Sequence, residues 1–489
     1  MPRASRPTNT LYYGDNLAVL RQHVKDESVD LVYLDPPFQS GKNYNVLFKA
    51  PDGKGAPAQI RAFEDTWHWG PESQQAYEEI LEESGDLATA MRALSSILGD
   101  SDMMAYLAMM GPRLVELRRV MKPTALCYLH CDPTASHYLK VLMDAIFEPK
   151  NFRNELVWCY AGGGIPKRDF PRKHDVILRY SRGPDYFYTP HFRPYTAGTM
   201  KRGRTAVKGK YAEQGLRPEG TPVNDWWADV PKITSPTDPE KMGYPTQKSE
   251  ALLERIIQTS SRPGDVVLDP FCGCGTAVIV AERLERPWIG IDITHLATNL
   301  IKNRLLGLEA VQGVDYSVIG EPATMEGAAQ LAKEDRHQFE HWALGLVGAR
   351  ATAKGKGRDR GIDGRLFFHD EQDSSGPKAK QIIISVKSGG TGPRDLRDLN
   401  GVVIRESAQI GVLVTMRKPT REMIKEAANS GFYHSPWGTR HPRLQILTVE
   451  DLLEGVAAVD YPPSRANVTL PRVGRRQRTR SSQSEIPGT

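Results

Sequence analysis

Residues 30–45, DLVYLDPPFQSGKNYN, run an apolar strand straight into an acid, two prolines and an aromatic ring. Leu31, Val32, Tyr33 and Leu34 form a short buried strand, which Asp35-Pro36-Pro37-Phe38 stops abruptly. Successive prolines fix φ and remove two backbone donors, so the turn is stiff and its carbonyls stay free to accept hydrogen bonds. The plain alternative is an ordinary proline turn after a strand. A second stretch able to do chemistry is DVVLDPFCGCGTAVIVAERL: a buried strand, a glycine-rich turn and a helix. That is phosphate- or nucleoside-binding geometry at the carboxyl end of a strand. Gly273 and Gly275 let the backbone approach a ligand closely. The next strand, PWIGIDI, ends in Asp292, seventeen residues past Gly275, where a carboxylate can take both ribose hydroxyls. The third glycine of the dinucleotide fingerprint is missing, because Thr276-Ala277-Val278 follows Gly275. Its absence counts against a nicotinamide dinucleotide.

The elements that must position these residues are those of an α/β protein. NTLYYGDNLAVLRQHVKDESVDLVYLDPPF reads as strand, Gly-Asp turn, helix and strand. A helical pattern runs from Ser73 to Met121 and is ended by Pro123. TALCYLHCD and NELVWCY are strands on either side of the helix PTASHYLKVLMDAIF. Periodicity then weakens up to Gly243, and α/β order returns with SEALLERIIQTS. A further α/β segment spans about Glu334 to Gly455. Between the two, SVIGEPATMEGAAQ reads as a surface linker. A chain of 489 residues has ample length for two to four domains. The five cysteines lack CxxC pairs with histidines, which argues against a zinc site and a disulfide framework. There is no apolar run of spanning length and no charged-then-apolar leader, so a cytoplasmic chain without membrane association is expected. The net charge of +5 is unevenly placed: seven Lys/Arg stand against Glu213 between His191 and Arg217, and six Arg against Glu485 from Tyr461 onward. Local excess of this kind suits a polyanion partner, although a basic run is more often a solvated face.

DPPF, FCGCGT and YPTQKSEALLERII, in that order, resemble the DNA amino-methyltransferases that use S-adenosylmethionine, in the permuted β class whose catalytic half comes first. The resemblance covers roughly residues 10 to 310. It implies a Rossmann-like, doubly wound seven-stranded sheet with one antiparallel strand, over residues 8–318, with a target-recognition region inserted at 162–243. By motif, Phe271, Gly273 and Gly275 line the cofactor, Asp269 anchors its methionine end and Asp292 takes the ribose. Asp15 of YGDN meets the adenine, with a helix cap as the structural alternative. Thr246 and Lys248 begin the segment that closes over the methionine portion.

Such an enzyme explains the proline turn. An exocyclic amine on a base is a poor nucleophile because its lone pair is delocalised into the ring. Asp35 and the Pro36 carbonyl, on the turn stiffened by Pro37, can accept its N–H groups out of the ring plane, and Phe38 can stack on the flipped base. Holding nitrogen and methyl in line supplies much of the remaining acceleration, and no metal is needed. Double-stranded DNA is the expected partner, with Lys201, Arg202, Arg204, Lys208 and Lys210 on phosphates. Trp226 and Trp227 are either stacking residues or core. Homodimerisation is left open.

The segment 330–456 resembles the restriction-endonuclease-like fold of the Mrr type, a smaller α/β domain. QFEHWALGLVGAR is its helix, GIDG its turn, and KQIIISVKSGG an apolar strand with Ser385 and Lys387 on one face. In that fold Asp363 binds Mg²⁺, Glu340 assists and Lys387 orients water. Ser385 stands where an acid or Gln is usual, which weakens the divalent site. A basic disordered tail is expected at 460–489. The expected activity is transfer of a methyl group to adenine N6. The alternatives are a fused modification–restriction enzyme that also cleaves DNA and a cytosine N4 methyltransferase.

Overall fold

The computed structural model describes residues 9–37, 68–162, 166–202, 216–233, 235, 238–242, 244, 246–352, 361–368, 370 and 380–462. Apolar residues alternate along its strands and so divide between two sheet faces. The first unit contains β1 (Asn9–Tyr13), α1 (Asn16–His23), β2 (Val29–Leu34), α2 (Pro71–Glu82), α3 (Asp86–Leu98), α4 (Asp102–Val120) and β3 (Met121–Cys131). There follow α5 (Ser136–Phe147), β4 (Phe152–Cys159), β5 (His174–Ser181), β6 (Phe192–Arg193), α6 (Ala197–Arg202), β7 (Thr221–Pro222) and β8 (Trp226–Trp227). It ends with α7 (Glu250–Ser260), β9 (Val267–Asp269), α8 (Thr276–Arg283), β10 (Trp288–Asp292), α9 (His295–Gly307) and β11 (Tyr316–Ile319). The main sheet has the order β11-β1-β10-β9-β2-β3-β5-β4-β8. On β2, Val32 and Leu34 pack with α1, α4 and α5, whereas Leu31 and Tyr33 pack with α7, α8 and α9. Helices therefore cover both faces, as a mostly parallel sheet requires.

Three sequence expectations need correcting. Among the described residues the sheet has nine strands where seven were expected, because short β8 and β11 add to its two edges. The single reversed strand is present: β5 runs antiparallel to both β3 and β4. That strand lies within 162–243, so this stretch is not wholly an insertion. HDVILRYS is a buried central strand with a basic loop before it. The Trp pair divides by alternation, Trp227 entering the core and Trp226 staying half exposed with the Arg193 guanidinium over its ring.

SVIGEPATMEGAAQ is not a linker. Its start is β11, paired with β1, and its end begins α10 (Met325–Glu334), capped by Thr324. The second unit then runs α11 (Arg336–Leu346), β12 (Arg350–Ala351), β13 (Gly364–Phe368), β14 (Lys380–Lys387), α12 (Pro393–Arg405), β15 (Ile410–Thr415), α13 (Arg421–Asn429), β16 (Phe432–His434), β17 (Arg440–Pro442), β18 (Leu444–Thr448) and α14 (Val449–Leu453). Its five-stranded sheet has the order β12-β13-β14-β15-β18. Ile382 and Ile384 pack with Trp342 of α11, and Ile383 with Leu399 of α12. No helix among the described residues is long and apolar enough to cross a membrane. The tail expected at 460–489 lies outside the described residues from 463 onward.

Candidate active site

Four neighbouring parallel strands, β1, β10, β9 and β2, deliver their following turns to one edge of the main sheet. Gly14-Asp15 follows β1, Asp292 closes β10, the glycine turn follows Asp269 of β9, and Asp35 follows β2. Residues from 15 to 292 are thereby brought into one crevice, at the carboxyl ends of strands where α/β sheets bind ligands.

The cofactor side of the crevice is tied together by its own acids. Asp292 Oδ2 accepts from Gly273 N at 2.9 Å, and Oδ1 accepts from the Thr294 backbone and hydroxyl at 2.9 and 2.8 Å. Burial nevertheless pushes its pKa up to about 6. Asp269 Oδ1 accepts from Phe271 N at 3.1 Å, and burial raises its pKa well above the ordinary value despite that bond. Gly273 and Gly275 have φ of +51° and +76°, the left-handed region that glycine enters without penalty. A Cβ on Gly275 would also lie 2.5 Å from Ile301, and one on Gly273 3.0 Å from the Tyr244 ring. Backbone without side chains, flanked by two acids, fits a cationic nucleoside such as S-adenosylmethionine.

Asp15 does what the helix-cap alternative says: Oδ1 accepts from Ala18 N at 3.1 Å. Its Oδ2 pairs with Arg113 at 2.6 Å. Arg113 also donates to Asn16 Oδ1 at 2.6 Å, and Asn16 donates to the Pro270 carbonyl at 2.8 Å. These two residues lock the turn after β1 to the glycine loop. Nothing in their spacing, 97 positions apart, marks them in the sequence.

At Asp35 the structure adds a partner. Lys248 Nζ donates to Asp35 Oδ2 at 2.5 Å, with both side chains largely buried. The lysine thus faces the proline turn. Lys248 arrives through a constrained segment: Thr246 has φ of +59°, and Gln247 accepts from Met242 N at 2.8 Å and donates to Glu240 O at 2.5 Å. The other oxygen, Asp35 Oδ1, is buried and meets no hydrogen-bond donor among the described residues. Pro36 is buried and Pro37 half-buried, while Phe38 lies outside the described residues. Beneath the turn, the Tyr33 hydroxyl and His130 Nδ1 share a hydrogen bond of 2.9 Å. His130 Nε2 meets Asp175 at 3.2 Å, and Asp175 accepts from Tyr160 at 2.9 Å. Burial holds the His130 pKa below its usual value.

A model of the DNA methylase family matches residues 29–303. The chain belongs to that family. Curated relatives include the type II methyltransferase M.EcaI of Enterobacter cloacae, 24% identical over 68% of this chain and 76% of its own length. The DNA adenine methyltransferase YhdJ of Escherichia coli is 26% identical over 60% of this chain and 80% of its own. The type II methyltransferase M.HpaI of Haemophilus parainfluenzae is 32% identical over 41% and 59%. The methylase is a DNA methyltransferase, and its crevice is where the family's chemistry is expected.

The methylase's expected phosphate contacts are only partly described. Lys201 is exposed on α6. The Arg202 side chain, Arg204, Lys208 and Lys210 lie outside the described residues. A second family model, described as a NACHT-associated inactive restriction endonuclease, matches residues 336–454. There Asp363 is buried, and its Oδ2 accepts from Val386 N at 2.7 Å and the Ser385 hydroxyl at 3.2 Å. Glu340 lies 4.0 Å from His337 on its own helix. The described residues contain no group of three or more His, Cys, Asp or Glu placed to hold a metal.

Proposed function

We propose that the chain transfers a methyl group from S-adenosylmethionine to the exocyclic N6 amine of adenine in double-stranded DNA. The observation that carries this reading is the divided carboxylate of Asp35. Oδ2 is pinned by Lys248, and Oδ1 is a buried acceptor without a donor among the described residues. A buried acceptor left unpaired costs about 1–3 kcal/mol, a cost removed when an amine N–H arrives. Asp35 Oδ1 then accepts one amine hydrogen, and the Pro36 carbonyl is the second acceptor. Together they draw the nitrogen lone pair out of the ring plane. Phe271, Gly273 and Gly275 hold the cofactor, with Asp269 toward its methionine end, Asp292 on its ribose and Asp15 toward its adenine. The bound cofactor supplies an electrophilic sulfonium methyl. Adenine is supported over cytosine by the Asp that heads the proline turn and by a relative named as a DNA adenine methyltransferase. Labelled-methyl transfer to unmethylated plasmid, followed by mass spectrometry of the digested bases, tests both steps. N6-methyladenine is expected; N4-methylcytosine would reassign the base, and unlabelled DNA would refute the activity.

In the same reading the second sheet binds DNA or a partner and does not cleave with Mg²⁺. Supporting this are the internal bonds of Asp363, the serine at position 385 and the matched family's description as inactive.

A further inference from the structure

The seam between the two sheets meets the cofactor crevice through α9. Helix α9 starts directly after the Asp292–Thr294 turn, and Thr294 caps it. The first N–H of α9, that of His295, donates to Gln338 Oε1 of α11 at 3.0 Å, and both residues are buried. The His295 ring stacks on Tyr13 with centroids 3.7 Å apart. Tyr13 leads into Gly14, whose N–H donates to the Asp292 carbonyl at 2.9 Å. One turn further along, Asn299 donates to the His341 carbonyl of α11 at 2.7 Å. Contact there is close enough that a Cβ on Gly345 would fall 2.1–2.5 Å from the Asn299 side chain. A second tie reaches the segment leading to Lys248: Arg350 of β12 donates to the Met242 carbonyl at 3.3 Å. Met242 packs with Cys274 of the glycine turn and Leu300 of α9, and its own N–H is held by Gln247, next to Lys248.

We propose that the nuclease-like unit is a positioning element of the cofactor site: α11 and β12 set the Asp292–Thr294 turn and the Met242–Lys248 segment through Gln338, Gly345 and Arg350. A donor at a helix N-terminus needs an acceptor, and the methylase unit leaves the one on His295 to the other unit. Linkage is reciprocal. Occupation of the cofactor crevice must therefore tighten the seam, and loosening the seam must weaken the cofactor.

The inference rests on S-adenosylmethionine being the cofactor, and the test separates the two. S-adenosylhomocysteine is titrated calorimetrically into the full chain and into Gln338→Ala, Gln338→Glu, Arg350→Ala and Arg394→Ala. Gln338→Ala and Arg350→Ala should each weaken binding about fivefold or more, the low end of couplings between sites. For Gln338→Ala, KM for S-adenosylmethionine should rise in parallel, with kcat nearly unchanged. Gln338→Glu keeps the acceptor and should restore wild-type binding; Arg394→Ala, on an exposed side chain of α12, should leave it unaltered. Hydrogen exchange in residues 336–346 of the wild type should slow when S-adenosylhomocysteine is added. Wild-type binding that survives Gln338→Ala and Arg350→Ala, with no change in exchange, would overturn the positioning role alone. A wild-type chain that does not bind S-adenosylhomocysteine would overturn the cofactor assignment and this inference with it.

Discussion

Asp35 and Asp363 are both acids set at strand ends and largely removed from water, yet their carboxylates are used in opposite ways. Asp35 has one oxygen held by a distant lysine and one left without a donor among the described residues. Asp363 accepts from the backbone and a hydroxyl of the adjacent strand. The first arrangement leaves, among the described residues, an open acceptor that an incoming donor can satisfy. The second spends its acceptor on holding β13 to β14. A site is marked less by the presence of an acid than by whether the fold has already satisfied it.

The largest expected effect follows from that difference. Asp35→Ala removes the acceptor and should lower methyl transfer by about 10²–10⁴-fold, the range for losing a positioned proton acceptor. S-adenosylhomocysteine affinity, read by calorimetry, should stay within a few-fold, because the glycine turn and Asp292 are untouched. Near-normal turnover would break the comparison at its first term. Gly275→Val should do the reverse and abolish cofactor binding, since the substituent meets Ile301 in a left-handed backbone. Retained binding would mean that the turn does not approach the ligand.

The two acids were unequally legible in the sequence. The proline turn, the glycine turn and Asp292 sit in local patterns whose chemistry depends on neighbours, so their placement at adjoining strand ends follows from strand order. Lys248 on Asp35 spans 213 positions, and Gln338 on His295 joins two units; no periodicity encodes either. Strand β5 was hidden because the Gly/Pro/basic loop before it and the irregular stretch after it mask its seven buried residues. The stretch around β11 looked like a linker because Gly320 and Pro322 interrupt it directly after a strand that is short and lies at an edge.

A pH dependence sharpens the cofactor half. The Asp292 pKa lies at about 6 in the folded chain against an ordinary 3.8. The folded state therefore holds a proton that the unfolded state has released. This contribution to stability is present below about pH 4 and is lost as pH rises through about 6. With Asp292 on the ribose, as proposed, cofactor binding would run the other way, because ribose hydroxyls would donate to the ionised carboxylate. Between pH 5 and 7 affinity for S-adenosylhomocysteine should increase by about tenfold and then level off. Asp292→Asn should weaken binding and remove the part of the slope that Asp269, also raised by burial, does not supply. An unchanged slope would assign the titration elsewhere.

The smallest effects belong to the satisfied acid. Asp363→Ala strips a buried backbone N–H of its acceptor and should cost about 1–3 kcal/mol in stability, read by denaturant unfolding. Methyl transfer per folded molecule should not change. Ser385→Ala removes only the longer of the two bonds, at 3.2 Å, and leaves Val386 N–H in place. Its cost should be about 0.5–1.5 kcal/mol, that of one ordinary hydrogen bond. The ordering of these two variants is the sensitive point. If Asp363 served a metal, Ser385→Ala and Asp363→Ala would alter Mg²⁺-dependent nicking of supercoiled plasmid, and Lys387→Ala would abolish it, whatever their stabilities. If Asp363 is a fastener between two strands, plasmid incubated with Mg²⁺ stays intact in every case. Only the unfolding midpoints then separate the variants, with the alanine at 363 the less stable.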